Sequence, residues 1–285
     1  MSMHLIVILL GFTGVLGKLI DCSSSVLVWY RMFIAFLFLL IYIHFSSGLN
    51  IQKKYFVRIS LIGVVVAAHW LFFFESIKVS NVSVAVVCMG TSSLFSAFLE
   101  PIILKRRFNA REIILSVVVI FAISFAMQAD WSYKLGFVYG IIAAFLGTLF
   151  TIYNSLYINK VESEEISLIE MLSGFLVLSI YFLFTESISI STFNLSQSDL
   201  IYLLILGIVC TSFAFAISVE VMKKLSPYNV IMAVNLEPIY SIILALVIFG
   251  DSEKMSLSFY IGAILIIATV TMDGIYKQRK LKNIT

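Results

Sequence analysis

Charged side chains are scarce in this sequence. Asp, Glu, Lys and Arg make up 12% of its 285 residues, whereas soluble domains carry about 25%. Hydrophobic residues account for 61%, and the mean hydropathy is +1.07. The 19 basic and 16 acidic side chains are too few to cover the surface of a soluble protein of this length. The composition therefore excludes a soluble globular protein and indicates a polytopic membrane protein.

Cysteine and histidine are also rare, with three residues of each type. Cys22, Cys88 and Cys210 are far apart and lack metal-ligand spacing, so we expect them to pack in the interior. The sequence contains no cluster of His, Glu or nucleophilic residues typical of an enzyme site, and no ATP-binding loop. We therefore expect no enzyme activity, no metal and no cofactor. A membrane-embedded enzyme or lipid-handling protein is the disfavoured alternative.

Ten apolar stretches have about the length of a membrane helix, roughly 20 residues. They span residues 3–20, 25–45, 57–77, 82–104, 112–128, 134–155, 166–185, 200–222, 228–249 and 257–276. The connections between them are short, so no soluble domain fits between the helices. The sequence predicts an all-α polytopic membrane protein with ten transmembrane helices.

The positions of Lys and Arg predict the orientation. If the N-terminus is cytoplasmic, the inner connections and the C-terminal tail hold 14 basic residues and the outer connections hold four. Short cytoplasmic loops are enriched in Lys and Arg. We therefore expect a multi-pass protein of the plasma (inner) membrane with both termini in the cytoplasm.

The two halves of the chain resemble each other. The matched positions are 78–80 with 224–226, Gly63 with Gly207, and Met127 with Met272, at separations of 146, 144 and 145 residues. This predicts two five-helix units, 1–130 and 131–285. An odd number of helices inserts the second unit upside down, and such inverted repeats are typical of alternating-access transporters with a substrate site at the repeat interface.

A second-half pattern consists of 236–241 with its Glu-Pro pair, 249–251 and 261–266, and the first half matches it more loosely through 92–104 followed by Lys105 and Arg106. These segments resemble the EamA family of the drug/metabolite transporter superfamily. The resemblance implies ten helices and a central cavity built mainly by helices 1–4 and 6–9, with helices 5 and 10 at the periphery. It also implies transport, most commonly the export of amino acids or related compounds, without naming one substrate.

An ionisable residue within a membrane helix is costly and marks a candidate site. Glu237 lies close to the midplane, where it could bind a cationic group or carry a proton; the alternative is a structural Glu beside a helix kink at Pro238. Tyr240 and Ser241 share its helix face.

Arg31 has three possible roles: to extend toward the outer surface, to pair with Glu75, or to face an anionic group in the cavity. His69 is a coupling residue or a neutral core histidine, and Trp70 stacks on a ligand or packs in the core. The remaining candidates are Ser93 and Ser96, for which close helix packing is the alternative, and Tyr139 as a cavity hydroxyl group.

These patterns together predict a secondary transporter, driven by a gradient, for a small polar or amphipathic metabolite. Export of amino acids is the leading hypothesis, with proton coupling as an option. An importer or exchanger of a cationic or nucleobase-like metabolite is the alternative. The expected partners are a small-molecule substrate and the lipid bilayer, with no nucleic acid; a homodimer is left open.

Overall fold

The computed structural model describes residues 2–46, 53–129, 131–185, 195–234 and 236–282. Within these ranges the chain is almost entirely helical and forms no β-strand. Residue 130, at the predicted boundary between the two units, lies outside the described residues. The α-helices of the described ranges are α1 (Ser2–Leu19), α2 (Ser24–Ser46), α3 (Lys53–Val79), α4 (Val82–Met89), α5 (Ser92–Ile103), α6 (Ala110–Ala129), α7 (Lys134–Ser155), α8 (Ser163–Phe184), α9 (Gln197–Gly207), α10 (Ala214–Val221), α11 (Pro227–Val234), α12 (Glu237–Phe249) and α13 (Leu257–Lys282).

Each predicted apolar stretch coincides with one helix or with two consecutive helices. Such segments are helical because a helix satisfies its own backbone hydrogen bonds, which lipid cannot do. In the described part of the chain, seven helical segments are long and apolar enough to cross a membrane, and Ile6–Leu19 and Leu257–Thr269 are shorter apolar helices. The protein is therefore a multi-pass membrane protein, while the number of ten spans stays a prediction.

The fourth and ninth stretches, each predicted as one helix, are broken in the structure. Between α4 and α5, the N–H groups of Gly90 and Thr91 donate to carbonyls only three residues back, Val87 and Cys88, at 3.0 and 2.9 Å. Between α11 and α12, Pro238 has no N–H group to continue the helical ladder. Pro238 therefore lies in the first turn of a new helix, at the place where the sequence predicted a kink.

The two breaks occupy equivalent positions in the two halves. The ends of α4 and α11 are separated by 145 residues, as are the starts of α5 and α12. The same separation joins Met127 and Met272 in the sequence. The internal repeat therefore includes the positions of the helix interruptions, which match between the two halves.

Helices of one half pack mainly against helices of the other. The first helix of each half contacts the broken helix of the opposite half, α1 against α12 and α7 against α4 and α5. Likewise α2 packs on α8, and α6 on α13. Because of these contacts, both broken helices lie around a central space between the two halves.

Candidate functional site

A cavity of about 110 Å³ lies between the two halves. Its volume exceeds the roughly 10–15 Å³ that one water molecule needs. Its lining residues are Leu10, Thr13, Arg31, His69, Trp70, Phe73, Met89, Ser92, Gly147, Phe150, Thr151, Cys210, Phe215, Ser218, Met222, Val230, Ile231, Val234 and Glu237. Among the described residues, α6 and α13 contribute none, in keeping with the peripheral position that the family resemblance implies, and α8 contributes none either.

Arg31 is the cationic residue of this cavity and is only 1% exposed. Its guanidinium carbon lies 3.8 Å from the centroid of the Trp70 ring. Its Nε donates a hydrogen bond of 2.6 Å to Thr211 Oγ1, while its Nη1 is buried without a partner among the described residues. The structure therefore places Arg31 in the cavity rather than in the predicted alternative, a pair with Glu75. One buried donor remains available for an anionic or carbonyl group.

Thr211 positions Arg31 and was not identified from the sequence. It lies in a π-helical segment, Ile208–Phe213, which separates α9 from α10. In this segment Thr211 Oγ1 donates to the carbonyl of Leu206 at 2.6 Å, so its lone pairs face Arg31. π-Bulges occur often at functional sites. The polar triplet Cys210, Thr211 and Ser212 within an apolar helix was the available signal.

Replacing Thr211 by valine should weaken the site without changing its shape. The variant leaves the buried Nε of Arg31 without its acceptor, a loss of about 1–3 kcal/mol. We expect a lower unfolding temperature and weaker ligand binding, measured by thermal shift in detergent. Thr271→Val is the control because Thr271 is exposed and its hydroxyl bonds only its own helix. Equal behaviour of the two variants would show that Thr211 does not support Arg31.

Glu237 is the acidic residue of the cavity and is 6% exposed. It is the first residue of α12, where the helix dipole favours a negative charge. Ser92, the first residue of α5, lies at the equivalent position of the other half and also lines the cavity. Among the described residues, no ion pair within 4 Å and no hydrogen bond joins Glu237 to Arg31. The Arg31 guanidinium and the Glu237 carboxylate therefore line the same cavity without forming a direct ion pair with each other.

His69 and Trp70 also line the cavity, as predicted candidates. The Nδ1 atom of His69 lies 2.7 Å from the carbonyl oxygen of Ala143, so the ring donates from this nitrogen. Its edge contacts Phe150 at a centroid distance of 5.3 Å. His69 is thus held against α7, and Trp70 presents its ring face to Arg31 rather than to open space.

The other predicted site residues do not line this cavity. They are Ser93, Ser96, Glu75, Tyr139, Tyr240 and Ser241. Ser93 and Ser96 donate to the Gly90 carbonyl and to Glu100, and Ser241 donates to the Gly11 carbonyl across the contact between α12 and α1. Glu237, Tyr240 and Ser241 do lie in one helix, α12, but the turn after Glu237 packs against Gly11 of α1. The spacing therefore does not place them beside the cavity.

Glu170 is another buried polar residue that the sequence analysis did not identify. Glu170, on α8, is fully buried, and neither of its oxygens has a hydrogen-bond partner within the described part of the chain. Asn154 of α7 lies beside it without forming a well-directed hydrogen bond. Its place at the eighth position of α8 was visible in the sequence. Glu170 lies outside the lining of the central cavity.

A family model for EamA-like transporters matches residues 1–128 and 134–272. The chain belongs to the EamA-like transporter family. The family consists of membrane transporters of the drug/metabolite transporter superfamily, which agrees with the apolar helices and the cavity between the halves. Both halves of this EamA-like chain match the model separately.

The fold of this EamA-like protein also occurs in solved structures. One of them, titled only as the crystal structure of a protein, superposes with a TM-score of 0.71 at 13% sequence identity. The match covers 98% of this chain and 96% of that chain. No curated protein matches the sequence significantly. The similarity therefore establishes the fold, and the chemistry of the cavity is the basis for proposing a substrate.

Proposed function

We propose that this protein is a secondary transporter that exports an amino acid or a related compound by alternating access. The observation that carries the proposal is the pair of opposite charges, Arg31 and Glu237, in one cavity between the two halves. An amino acid carries a carboxylate and an ammonium group. The unpartnered Nη1 of Arg31 suits the carboxylate, and the Glu237 carboxylate suits the ammonium group.

The walls of the cavity suit the rest of such a substrate. Phe73, Phe150 and Phe215 surround the charged pair, together with aliphatic side chains. Apolar walls with a few well-placed polar groups are typical of small-molecule sites. A cationic or nucleobase-like metabolite is the second candidate, favoured by the Glu237 carboxylate beside these rings.

The transport cycle that we propose follows from the exchange of contacts between the halves. Ten spans arranged as two inverted five-helix units, 1–130 and 131–285, would rock around the cavity. The distribution of Lys and Arg supports cytoplasmic termini and insertion in the plasma membrane. Glu237 is the residue that we assign to proton coupling, because it is buried, ionisable and in the cavity.

A ligand series tests the charged pair directly. Purified protein is screened by thermal shift with amino acids, and each hit is compared with its amine lacking the carboxylate and its acid lacking the amino group. We expect both analogues to bind at least about tenfold more weakly, since each leaves one buried charge unpaired. If the amine binds as tightly as the amino acid, Arg31 does not bind the carboxylate. If the acid binds as tightly as the amino acid, Glu237 does not bind the ammonium group.

Replacing Glu237 by glutamine should stop transport. The amide keeps the shape but cannot carry a charge or accept a proton at this position. We expect insertion and folding as in the wild type, with uptake into proteoliposomes reduced at least about tenfold. Glu162→Gln, at an exposed residue, is the matched control. Unchanged transport by the Glu237 variant would defeat the proposal.

A further inference from the structure

Two carboxylates outside the cavity link the two halves at the ends of the broken helices. The first is Glu253, in the turn between α12 and α13, which is fully buried. Its Oε1 accepts the N–H of Val82 at 3.0 Å, and its Oε2 accepts the N–H and the hydroxyl of Ser83 at 3.0 and 2.9 Å. Glu253 therefore caps the N-terminus of α4, which belongs to the other half.

Lys18 completes this first cluster. Its Nζ lies 2.7 Å from Glu253 Oε1, and it donates to Ser252 Oγ at 3.1 Å. Since Lys18 lies in the last turn of α1, the cluster joins α1, the start of α4 and the turn after α12. Charged hydrogen bonds of this kind are stronger than neutral ones, and a carboxylate at a helix N-terminus gains further from the helix dipole.

The second carboxylate is Glu100, near the end of α5, which is 3% exposed. Its Oε2 accepts the N–H of Tyr228 at 3.1 Å, at the start of α11 in the opposite half. Its Oε1 lies 3.2 Å from Arg106 Nε. As in the first cluster, a carboxylate at or just after the end of one broken helix caps the start of the other, with a basic residue beside it.

The capped positions are equivalent in the internal repeat. Ser83 and Tyr228 are separated by 145 residues, as are Val82 and Pro227. Proline has no N–H group, so Glu100 receives one backbone hydrogen bond from α11 where Glu253 receives two from α4. The proline therefore explains why the two caps differ by one backbone hydrogen bond.

The two caps lie at opposite ends of the bundle. Val82 begins α4, and Glu100 follows 18 residues later near the end of α5, which corresponds to about 27 Å of helix. The cavity lies between these ends, since Met89 and Ser92 flank the break between the two helices and line it. Each cap therefore fastens one end of the cavity-lining helices to the other half.

We propose that Glu253 and Glu100 are the two gate residues of the transporter. Release of the Glu253 cap opens the cavity at the α1–α4 end, and release of the Glu100 cap opens it at the α5–α11 end. This inference rests on the proposed alternating-access function. With cytoplasmic termini, Glu253 is the extracellular gate and Glu100 the cytoplasmic gate. Both caps are formed in this structure.

Cys210 is a natural reporter for the test, because it lines the cavity and is only 2% exposed. The full-length protein carries Cys22→Ser, and sealed vesicles of known orientation are treated with a membrane-impermeant maleimide from one side. Peptide mass spectrometry separates Cys210 from Cys88, which is fully buried away from the cavity. The rate of labelling from each side is compared between variants.

Glu253→Gln should raise the labelling rate of Cys210 from the extracellular side by about tenfold or more, and Glu100→Gln should do so from the cytoplasmic side. The matched controls are Asp251→Asn and Glu162→Gln, whose carboxylates are exposed and bond only surface residues. The controls should label as the wild type does. We expect each substitution to raise the labelling rate from one side of the membrane only, because each removes only one cap.

An unchanged rate, or equal increases from both sides, would overturn the proposal. If a Gln variant fails to fold, a milder variant replaces it in the test. Ser83→Ala removes one hydroxyl donor from Glu253, and Ser96→Ala removes one hydroxyl donor from Glu100. These milder variants should shift labelling in the same sided manner by about twofold to fivefold. Labelling needs no substrate, so a failure of the gates is distinguishable from a failure to find transport in proteoliposomes.

Discussion

Replacing Arg31 by lysine should reduce substrate affinity by about 10- to 100-fold while the charge is retained. The planar guanidinium lies over Trp70 at 3.8 Å, and its Nε bonds Thr211 at 2.6 Å, leaving Nη1 for a ligand. A lysine ammonium cannot make these three interactions at once, because it has no planar fork. The loss corresponds to about 1.5–3 kcal/mol for a charged hydrogen bond. Titration of the purified variant with the amino acid found in the screen measures it.

Arg111→Lys is the control for this experiment. Arg111 also stacks on an aromatic ring, with its guanidinium carbon 3.4 Å from the centroid of Tyr276, but at the α6–α13 contact away from the cavity. The same chemical change there should leave affinity within about twofold. An Arg31 variant that binds as tightly as this control would show that the guanidinium does not contact the substrate.

Replacing Gly63 by alanine should destabilise the protein severely. A methyl group at this position would lie 2.6 Å from both the Cα atom and the carbonyl oxygen of Glu170, and would overlap the Ser173 hydroxyl. Because two of these atoms belong to the backbone, α3 and α8 must move apart. Overpacking of this kind costs about 1–3 kcal/mol or more. We expect a lower unfolding temperature and a smaller folded fraction by size-exclusion chromatography after heating.

Leu61→Ala is the matched control, since Leu61 lies on the same helix and is 64% exposed. It should unfold close to the wild-type temperature. If Gly63→Ala unfolds at the same temperature as this control, the approach of α3 to α8 is looser than the structure shows. The test also bears on the position of Glu170, whose backbone lies at this contact.

The sequence alone determined the class of the protein and its division into halves. Apolar stretches of membrane length require helices because lipid offers no hydrogen-bond partners, and each predicted stretch is helical in the described ranges. The motif around Glu237 and Pro238 identified the EamA family, which the family model confirms. Arg31, His69, Trp70 and Glu237, chosen as polar residues at depth, all line the cavity.

Tertiary structure alone decided which partners these residues have. Thr211 is 180 positions from Arg31, and nothing in the spacing of an α-helix places a π-helical segment beside it. Glu253 was a loop residue in the sequence, yet it caps a helix 171 positions away. Helical periodicity places side chains on the face of one helix, whereas contacts between halves depend on how two inverted units pack. The scarce charges therefore marked the cavity from sequence, and packing determined which of them line it and which cap the helices around it.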